Sequence, residues 1–136
     1  MAELELTDSV AVDATEVTNF LGLSDPAFLA YEYQQYLPDC AVFVQARSDG
    51  RLIGTLALMP YPLVIGGRVM MTGHAERGRV DPAYRGGGLF PALTEKCAQA
   101  AAAKGLQFIW GSTTGKMAFQ RVGFLFFEGF YEHAML

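Results

Sequence analysis

The sequence predicts a single α/β domain in which helices flank a mixed β-sheet. Two pairs of apolar, β-prone segments, each joined by a short turn that contains glycine, predict two antiparallel hairpins. A glycine-rich turn then leads from a long strand into an alanine-rich helix and on to another strand, the order expected of a crossover between parallel strands. At 136 residues, 51% of them hydrophobic, the chain can form one core. We therefore expect one domain over residues 1–136.

The N-terminal part of the chain predicts one edge strand and two helices. Leu4 to Thr7 is expected to be the strand and Ala14 to Leu21 the first helix. Ser24-Asp25-Pro26 predicts the start of a longer helix, because a capping side chain precedes a proline that suits the first helical turn. This second helix is expected to run to about Leu37 and to end at Pro38.

The first hairpin is predicted from two apolar segments, Ala41 to Arg47 and Arg51 to Met59. Ser48-Asp49-Gly50 lies between them and places a glycine where the turn needs a positive φ. Pro60 and Pro62 follow, and because proline cannot donate to a strand ladder we expect them to interrupt pairing.

The second hairpin is predicted around Gly66-Gly67, which separates Leu63-Val64-Ile65 from Arg68-Val69-Met70. The strand that begins with the latter segment is expected to continue to Val80. It is a long strand of the predicted sheet.

The crossover helix follows the glycine-rich turn. Leu89, Leu93, Cys97 and Ala100 are separated by 4, 4 and 3 residues, which places them on one helix face, and Gly105 supplies the C-terminal stop.

Three elements are expected after the crossover helix. Leu106 to Gly111 should pair in parallel with the strand before the turn. A short helix from about Thr114 to Val122 and a strand from Phe124 onward complete the domain.

Composition excludes several classes of protein. With 18% charged and 51% hydrophobic residues the chain is not of the disordered class, and a net charge of −4 without a basic, aromatic stripe argues against nucleic-acid binding. The acidic, alternating first residues do not resemble a secretory signal. The longest apolar stretch, Leu52 to Gly67, spans 16 residues and carries two prolines, which is too short for a membrane helix. We expect a cytoplasmic protein with no nucleic-acid or membrane partner.

The two cysteines and the charge distribution add to this picture. Cys40 and Cys97 have no metal-ligand spacing and are expected to be reduced thiols, so no metal is predicted.

The charge is distributed unevenly along the chain. Residues 1–50 hold nine acids and one base, whereas residues 51–136 hold five acids and nine bases. The basic part suits a phosphate-bearing ligand and the acidic part could attract cationic amines; ordinary surface charge is the alternative.

Residues 80–90 predict a phosphate-binding turn. A strand ends at Val80, Pro82 stops pairing, and Arg85 precedes three glycines that open a helix. The first amides of a helix lack internal partners and carry partial positive charge, and glycine lets an anion come close to them. We call Arg85 to Gly88 the glycine loop. A tight turn without a ligand is the alternative interpretation.

Two common phosphate motifs do not match. Gly115-Lys116 is followed by Met117 and lacks the upstream glycine spacing of a P-loop. A dinucleotide-binding turn should come early in a parallel β-α-β unit, whereas the strand before this turn is reached through a hairpin.

The glycine loop resembles the signature of the GNAT superfamily of acyl-CoA-dependent N-acyltransferases, Arg/Gln-x-x-Gly-x-Gly/Ala after a strand that ends in Val-x-Pro. Arg85 and Gly88 match that signature, and Phe90 replaces its final small residue. The order of elements over residues 24–136 is also similar to the GNAT fold, a mixed central sheet flanked by helices.

A second GNAT motif, Asn-x-x-Ala-x-x-x-Tyr-x-x-x-Gly-Phe, is partly matched in the late helix. Ser112, Phe119, Gly123 and Phe124 stand at its Asn, Tyr, Gly and Phe positions. Phe119 is the departure with a chemical consequence, because the family's usual general acid for the leaving thiolate is the tyrosine at that position.

The resemblance implies acetyl-CoA or another acyl-CoA as co-substrate and an amine as acceptor, joined by direct attack without a covalent enzyme intermediate. It also implies that backbone N–H groups near Val80 hold the pantetheine arm and the thioester oxygen. The expected residues for binding the co-substrate are Val80, Arg85, Gly86, Gly87, Gly88, Leu89, Phe90, Ser112 and Phe119.

The candidate catalytic residues are His74 and Glu76, which precede Arg85 by eleven and nine residues, spacings at which some family members place bases or water-holding residues. Strand alternation predicts that Thr72, His74, Glu76 and Gly78 share one face with Val80. A bridging water to the substrate ammonium is expected. The alternative is a polar pair on a solvated strand face.

The general acid is left open, because Phe119 cannot donate a proton. Tyr61, Tyr84 and Tyr131 are candidates, and water is another. His133 is expected to be a packing residue. The phenylalanines expected to seal the core, or alternatively to line an acceptor pocket, are Phe119, Phe124, Phe126, Phe127 and Phe130.

Two hypotheses follow. The first is an N-acetyltransferase that acts on a primary amine of a small molecule or peptide. The second is a catalytically weak or inactive acyl-CoA-binding module, which Phe119 favours. Thirteen residues follow Gly123, fewer than the two closing strands of the family usually take, so either the last hairpin is shortened or a second subunit, as in a homodimer, completes the sheet or the pocket.

Overall fold

The computed structural model describes residues 3–9, 12–113 and 115–126. Within them a five-stranded sheet has its strands side by side in chain order, antiparallel except for the last pair. The strands are β1 (Leu4–Asp8), β2 (Val42–Ser48), β3 (Arg51–Ile65), β4 (Arg68–Val80) and β5 (Ile109–Trp110). The predicted mixed sheet of an α/β domain is confirmed.

Helices cover both faces of this sheet. The α-helices are α1 (Ala14–Leu21), α2 (Pro26–Ala30), α3 (Leu89–Ala103) and α4 (Lys116–Arg121). A π-helical turn over Tyr31–Gln35 extends α2, and a 3-10 turn over Pro82–Tyr84 follows β4. The last predicted strand falls mostly on residues 127–136, outside the described ranges; residues 124–126 are not part of the sheet.

The start of α2 is as predicted. The Asp25 carboxylate accepts hydrogen bonds from the amides of Ala27 at 2.9 Å and Phe28 at 3.4 Å. The helix ends at Gln35 rather than at about Leu37, because the backbone is already extended at Tyr36, with φ of −90° and ψ of 108°, and turns left-handed at Leu37. The stop therefore precedes Pro38 by three positions.

The prediction that Pro60 and Pro62 interrupt pairing is wrong. β3 continues through both to Ile65, with Pro60 opposite Gly73 and Pro62 opposite Met71 of β4. Pairing with β2 stops at Leu58, so this half of β3 has a neighbour on one side only. An edge position tolerates proline because its missing N–H leaves no ladder bond unmade on the open side.

Each face of the sheet contributes to its own hydrophobic cluster. The predicted apolar face of α3 is confirmed: Leu89, Leu93 and Cys97 are buried against the sheet, with Val44 and Leu58 in the same cluster. Across the sheet, α1 and α2 form a second cluster with Val17, Leu29, Tyr33, Phe43 and Ala57. The candidate catalytic residues of β4 must therefore face one cluster or the other.

A β-bulge in β4 decides which side chains share a face. Thr55 pairs with Arg79 but Ala57 pairs with Glu76, so Leu56 lies opposite two residues, Arg77 and Gly78. Arg77 has a φ of 55°, and its carbonyl accepts a 2.7 Å hydrogen bond from the Thr55 hydroxyl. After this extra residue, each side chain of β4 points to the face opposite the one that simple alternation would give it.

The prediction of one shared face is consequently wrong for the end of β4. Val80 packs in the α3-side cluster, and a Cβ on Gly78 would lie 3.3 Å from Leu56 and 3.9 Å from Phe90 of α3. Glu76 instead contacts Tyr33 on the α2 side. Sequence alternation could not find this, because a bulge leaves no periodic signal.

Candidate active site

The exit of β4 is fixed by Asp81. Its amide donates to the Ile53 carbonyl at 2.8 Å, and its carboxylate accepts from the Ala83 amide at 2.9 Å and from Arg51 at 2.9 Å. The Arg51 guanidinium also lies 5.8 Å from the ring centre of Tyr84. The 3-10 turn that carries the chain into the glycine loop is therefore anchored at both ends.

The glycine loop exposes backbone rather than side chains. Gly86 and Gly88 have φ of 81° and 82°, values that favour glycine, and a Cβ added at either would meet nothing within 4 Å. Gly88 caps α3 without any side-chain hydrogen bond, which leaves the amides of Leu89 and Phe90 directed at the space before the helix. Arg85 donates from Nε to the Val80 carbonyl at 3.2 Å, which holds its guanidinium beside the loop.

β4 and β5 separate before the glycine loop. Their paired positions are Gly73 with Ile109 and His74 with Trp110. The backbone bonds from Gly73 to Phe108 and from Gln107 to Met71 lie at or before this point. At Gly111 they are still close, since a Cβ there would lie 3.0 Å from the Ala75 carbonyl. In the described part of the chain, β4 therefore runs on to Val80 with no strand beside it on the β5 side.

Ser112 and Phe119, both predicted to bind the co-substrate, lie beyond β5. Ser112 is exposed in the loop after the strand. The ring of Phe119 packs edge-on against Phe90 at 5.1 Å and against Phe124 at 5.2 Å. Phe119 thus holds α4 against the start of α3, next to the glycine loop.

Glu76 and His74, the two predicted catalytic residues, are brought together on the α2 side of the sheet. His74 Nδ1 lies 3.4 Å from Oε2 of Glu76. The other carboxylate oxygen, Oε1, accepts a hydrogen bond from the Tyr33 hydroxyl and lies 4.0 Å from Nε of Arg77. One oxygen is thus engaged by the protein interior, and the other faces the imidazole.

Tyr33 was missed by the sequence analysis. It is fully buried, and burial together with the adjacent Glu76 charge raises the pKa of its phenol. The hydroxyl therefore stays protonated and is able to donate to Glu76. Its sequence context is an ordinary aromatic-rich helix, and only the fold brings it to β4.

Arg77 and Glu32 form a second pair beside Glu76. Their Nη2 and Oε2 atoms are 2.6 Å apart, and both side chains are mostly buried. Burial by itself would lower the pKa of Arg77, but the hydrogen bond and charge of Glu32 outweigh it and the pKa is raised. The bulge makes this pair possible, because it turns Arg77 to the same side as Glu76.

An aromatic cluster adjoins His74. Its members are Tyr61, His74 and Trp110, and the Trp110 ring centre lies 4.6 Å from His74 and 5.6 Å from Tyr61. Trp110 donates from Nε1 to the Thr72 hydroxyl at 2.8 Å, and that hydroxyl donates to the Tyr61 carbonyl at 2.7 Å. Of the three tyrosines considered as general acid, Tyr61 lies in this cluster, Tyr84 lies before the glycine loop, and Tyr131 is outside the described residues, as is His133.

Two features are absent from the described part of the chain: a membrane-spanning helix and a cluster of metal ligands. No helix in the described ranges has the length and apolarity to cross a membrane. Among the same residues, no group of three or more histidine, cysteine, aspartate or glutamate side chains is placed to hold a metal ion.

Solved structures share this fold. An acetyltransferase from Trypanosoma brucei has a TM-score of 0.71 and 23% identity over 98% of this chain and 100% of its own. A predicted acetyltransferase from Clostridium acetobutylicum, solved with acetyl-CoA, has a TM-score of 0.76 and 14% identity over 97% and 96%. Glucosamine-6-phosphate N-acetyltransferase from Arabidopsis thaliana has a TM-score of 0.75 and 12% identity over 97% and 98%.

Sequence comparison extends this result from fold to family. Among curated proteins, no sequence matches this chain significantly. The family model described as an acetyltransferase (GNAT) domain matches residues 11–126, which is most of the chain and includes both β4 and the glycine loop. The chain therefore belongs to the GNAT acetyltransferase family.

Proposed function

We propose that this protein is an N-acetyltransferase that moves an acetyl group from acetyl-CoA to a primary amine of a small molecule or peptide. The observation that carries the proposal is the position of the Glu76–His74 pair on β4, at the start of the segment that runs to the glycine loop with β3 on one side and no described strand on the β5 side. One end of the segment suits a phosphate-bearing co-substrate and the other end suits proton removal from an amine.

The residues present fit acetyl-CoA, which supplies an activated acetyl thioester. The uncapped amides at the start of α3, with Arg85 beside them, would hold its pyrophosphate. The backbone of β4 between Glu76 and Val80 has unpaired groups on the β5 side and would hold the pantetheine amides. Phe119 and Phe90 would form the apolar wall at the loop.

We assign proton removal to His74 and its orientation to Glu76. An imidazole accepts protons near neutral pH without burial, and a carboxylate facing Nδ1 keeps that proton in place so that Nε2 is the free acceptor. Oε2 of Glu76 faces Nδ1, while Tyr33 occupies Oε1. The amine nitrogen then forms the C–N bond as the C–S bond breaks, and its proton leaves through Nε2 or a water held there.

A non-catalytic acyl-CoA-binding module is the second candidate, and Phe119 favours it. This ring is engaged with Phe90 and Phe124 and has no proton to give a leaving thiolate. We propose that water protonates the thiolate instead, at a loss of about 10²-fold relative to a positioned acid.

Thermal unfolding with acetyl-CoA, followed by chromatographic detection of free CoA against a panel of primary amines, tests both candidates. Acetyl-CoA at 100 times its dissociation constant should add about 2.7 kcal/mol to the free energy of unfolding. Stabilisation with amine-dependent CoA release is expected. Stabilisation without release for any amine would support the binding module, and no stabilisation by any acyl-CoA would contradict both.

The proposal includes a cytoplasmic location, consistent with two free thiols of which Cys97 is buried. It also includes a homodimer formed through the terminal strand that the sequence predicts from Phe124 onward. Light scattering of the purified chain tests the dimer: a monomer mass across micromolar concentrations would contradict it.

A further inference from the structure

The aromatic cluster of Tyr61, His74 and Trp110 presents ring surface to solvent beside the candidate catalytic pair. Tyr61 is 49% exposed, and His74 and Trp110 are half-buried. Tyr61 and His74 extend from the α2-side face of β3 and β4, the face that also carries Glu76. The cluster and the pair share His74, so a molecule lying on the rings would reach Glu76.

Hydrogen bonds within the protein leave the cluster with mainly apolar binding capacity. The indole N–H of Trp110 is used by Thr72, whose own hydroxyl is used by the Tyr61 carbonyl. These bonds also fix the ring plane of Trp110. The rings offer π surface and ring edges, which bind aromatic groups, apolar groups and cations. The two polar side-chain groups beside them, the Tyr61 hydroxyl and Nε2 of His74, lie where the amino group would be placed.

The charges beside the cluster suit a single ammonium. Glu32 and Glu76 supply two carboxylates, and Arg77 supplies one guanidinium that contacts both. With all three ionised, this group carries one net negative charge. A polycationic acceptor would need several uncompensated carboxylates, whereas a monoamine needs one.

We propose that Tyr61, His74 and Trp110 form the acceptor wall, and that the acceptor is a monoamine whose primary amino group is joined by a short chain to an aromatic or apolar ring. The ring lies against Tyr61 and Trp110, and the nitrogen lies at the His74–Glu76 pair. This inference rests on the proposed acetyl transfer, because it names the substrate class of that site.

Trp110 allows binding to be measured separately from turnover, because it is the single tryptophan of the chain. Its emission is followed during titration with 2-phenylethylamine, with 2-phenylethanol, which lacks the amino group, and with the polyamine spermidine. Titrations are run with and without saturating CoA, and free N-acetyltryptophanamide corrects for non-specific quenching. We expect a saturable change for 2-phenylethylamine and an at least 5-fold weaker response for the other two compounds.

Two variants link that signal to the wall. Tyr61→Ala should weaken 2-phenylethylamine binding about 3- to 10-fold and leave stabilisation by acetyl-CoA unchanged. Val69→Ala, on β4 at the exposed end of the same hairpin, is the matched control and should bind as the wild type does. Absence of a saturable change, or an equal affinity in Tyr61→Ala, would overturn the acceptor wall.

Failure of the two proposals gives different results. Saturable binding of 2-phenylethylamine, with no acetylation of it or of any other amine in the panel, would support the wall as a binding surface and contradict acetyl transfer. Acetylation of amines that leave Trp110 emission unchanged would support acetyl transfer and overturn the wall.

Discussion

The Tyr33 hydroxyl donates a hydrogen bond to Oε1 of Glu76, which joins the helix layer on one face of the sheet to the strand that carries the candidate catalytic residues. Tyr33 is fully buried and also packs edge-on against Phe43 at 4.9 Å. Its ring position is therefore fixed by the core. Glu76 in turn has one oxygen held in place and the other left facing His74.

Tyr33→Phe should lower kcat about 10-fold and leave KM for acetyl-CoA unchanged. The ring and its packing remain, but Glu76 loses the donor that fixes its orientation, at a cost of about 1.5–3 kcal/mol for a hydrogen bond to a charged group. Steady-state kinetics and urea unfolding measure both effects. Tyr31→Phe, at an exposed position of the same helical segment, is the control. A Tyr33→Phe enzyme with wild-type kcat would remove Tyr33 from the positioning of Glu76.

Alkaline pH should destabilise the fold through the same tyrosine. Because the pKa of Tyr33 is raised by folding, the unfolded chain loses the phenolic proton first, and stability falls as pH rises above the unfolded value of about 10. The limiting slope from one group is about 1.4 kcal/mol per pH unit. Urea unfolding between pH 9 and about 11 measures it. Tyr33→Phe should show a shallower decline over that interval, and a decline as steep as in the wild type would assign the effect to other groups.

Glu76→Gln should reduce turnover by about 10²-fold while acetyl-CoA binding stays close to that of the wild type. The amide keeps the size of the side chain but has no negative charge to stabilise the positive charge that His74 acquires when it takes up a proton. The two measurements are kcat with a reactive amine and thermal stabilisation by acetyl-CoA. Glu95→Gln, at an exposed site on α3, serves as the charge-matched control. Unchanged rates would take Glu76 out of the mechanism.

Gly88→Ala should weaken acetyl-CoA binding at least 10-fold. Its φ of 82° strains any residue with a Cβ, by about 1–2 kcal/mol, and the added methyl group enters the space in front of α3. Gly66→Ala is the matched control, since Gly66 also has a positive φ and open space around it but lies in the distant β3–β4 turn. Calorimetric titration should show weakened binding in the first variant only. Equal affinities in the two variants would place the phosphates elsewhere.

Phe119→Tyr should raise kcat, by up to about 10²-fold, if proton delivery to the thiolate limits the reaction. The substitution restores the tyrosine of the family motif at a half-buried position beside Phe90. Rates are compared at saturating amine and acetyl-CoA. An unchanged kcat would contradict the loss assigned to Phe119 and show that proton delivery to the thiolate does not limit the reaction.

Local signals predicted several elements of the fold and the loop that we propose binds the co-substrate. The turn at Asp49-Gly50, the buried face of α3 and the end of β4 at Val80 each depend on residues close together in sequence, and the structure has all three. The glycine loop could also be predicted from local sequence, because the positive φ of Gly86 and Gly88 depends on those residues alone.

Features that depend on distant residues were not predictable. Pro60 and Pro62 remain paired because β2 ends early, a fact about another strand. The bulge at Arg77 arises where Thr55 binds its carbonyl. The contact of Tyr33 with Glu76 spans 43 positions and needs the helix layer to be docked first. The contacts that orient Glu76 therefore could not be predicted from the sequence and are seen only in the folded structure.

The most direct test of the account is mass-spectrometric detection of the product when the wild-type protein and the Glu76→Gln variant are incubated with acetyl-CoA and a panel of primary monoamines. The account predicts that at least one amine gains one acetyl group with the wild type, together with an equal amount of free CoA, and that the variant forms this product about 10²-fold more slowly. Acetyl-CoA that stabilises the protein while no amine is acetylated, or equal product from both proteins, would contradict it.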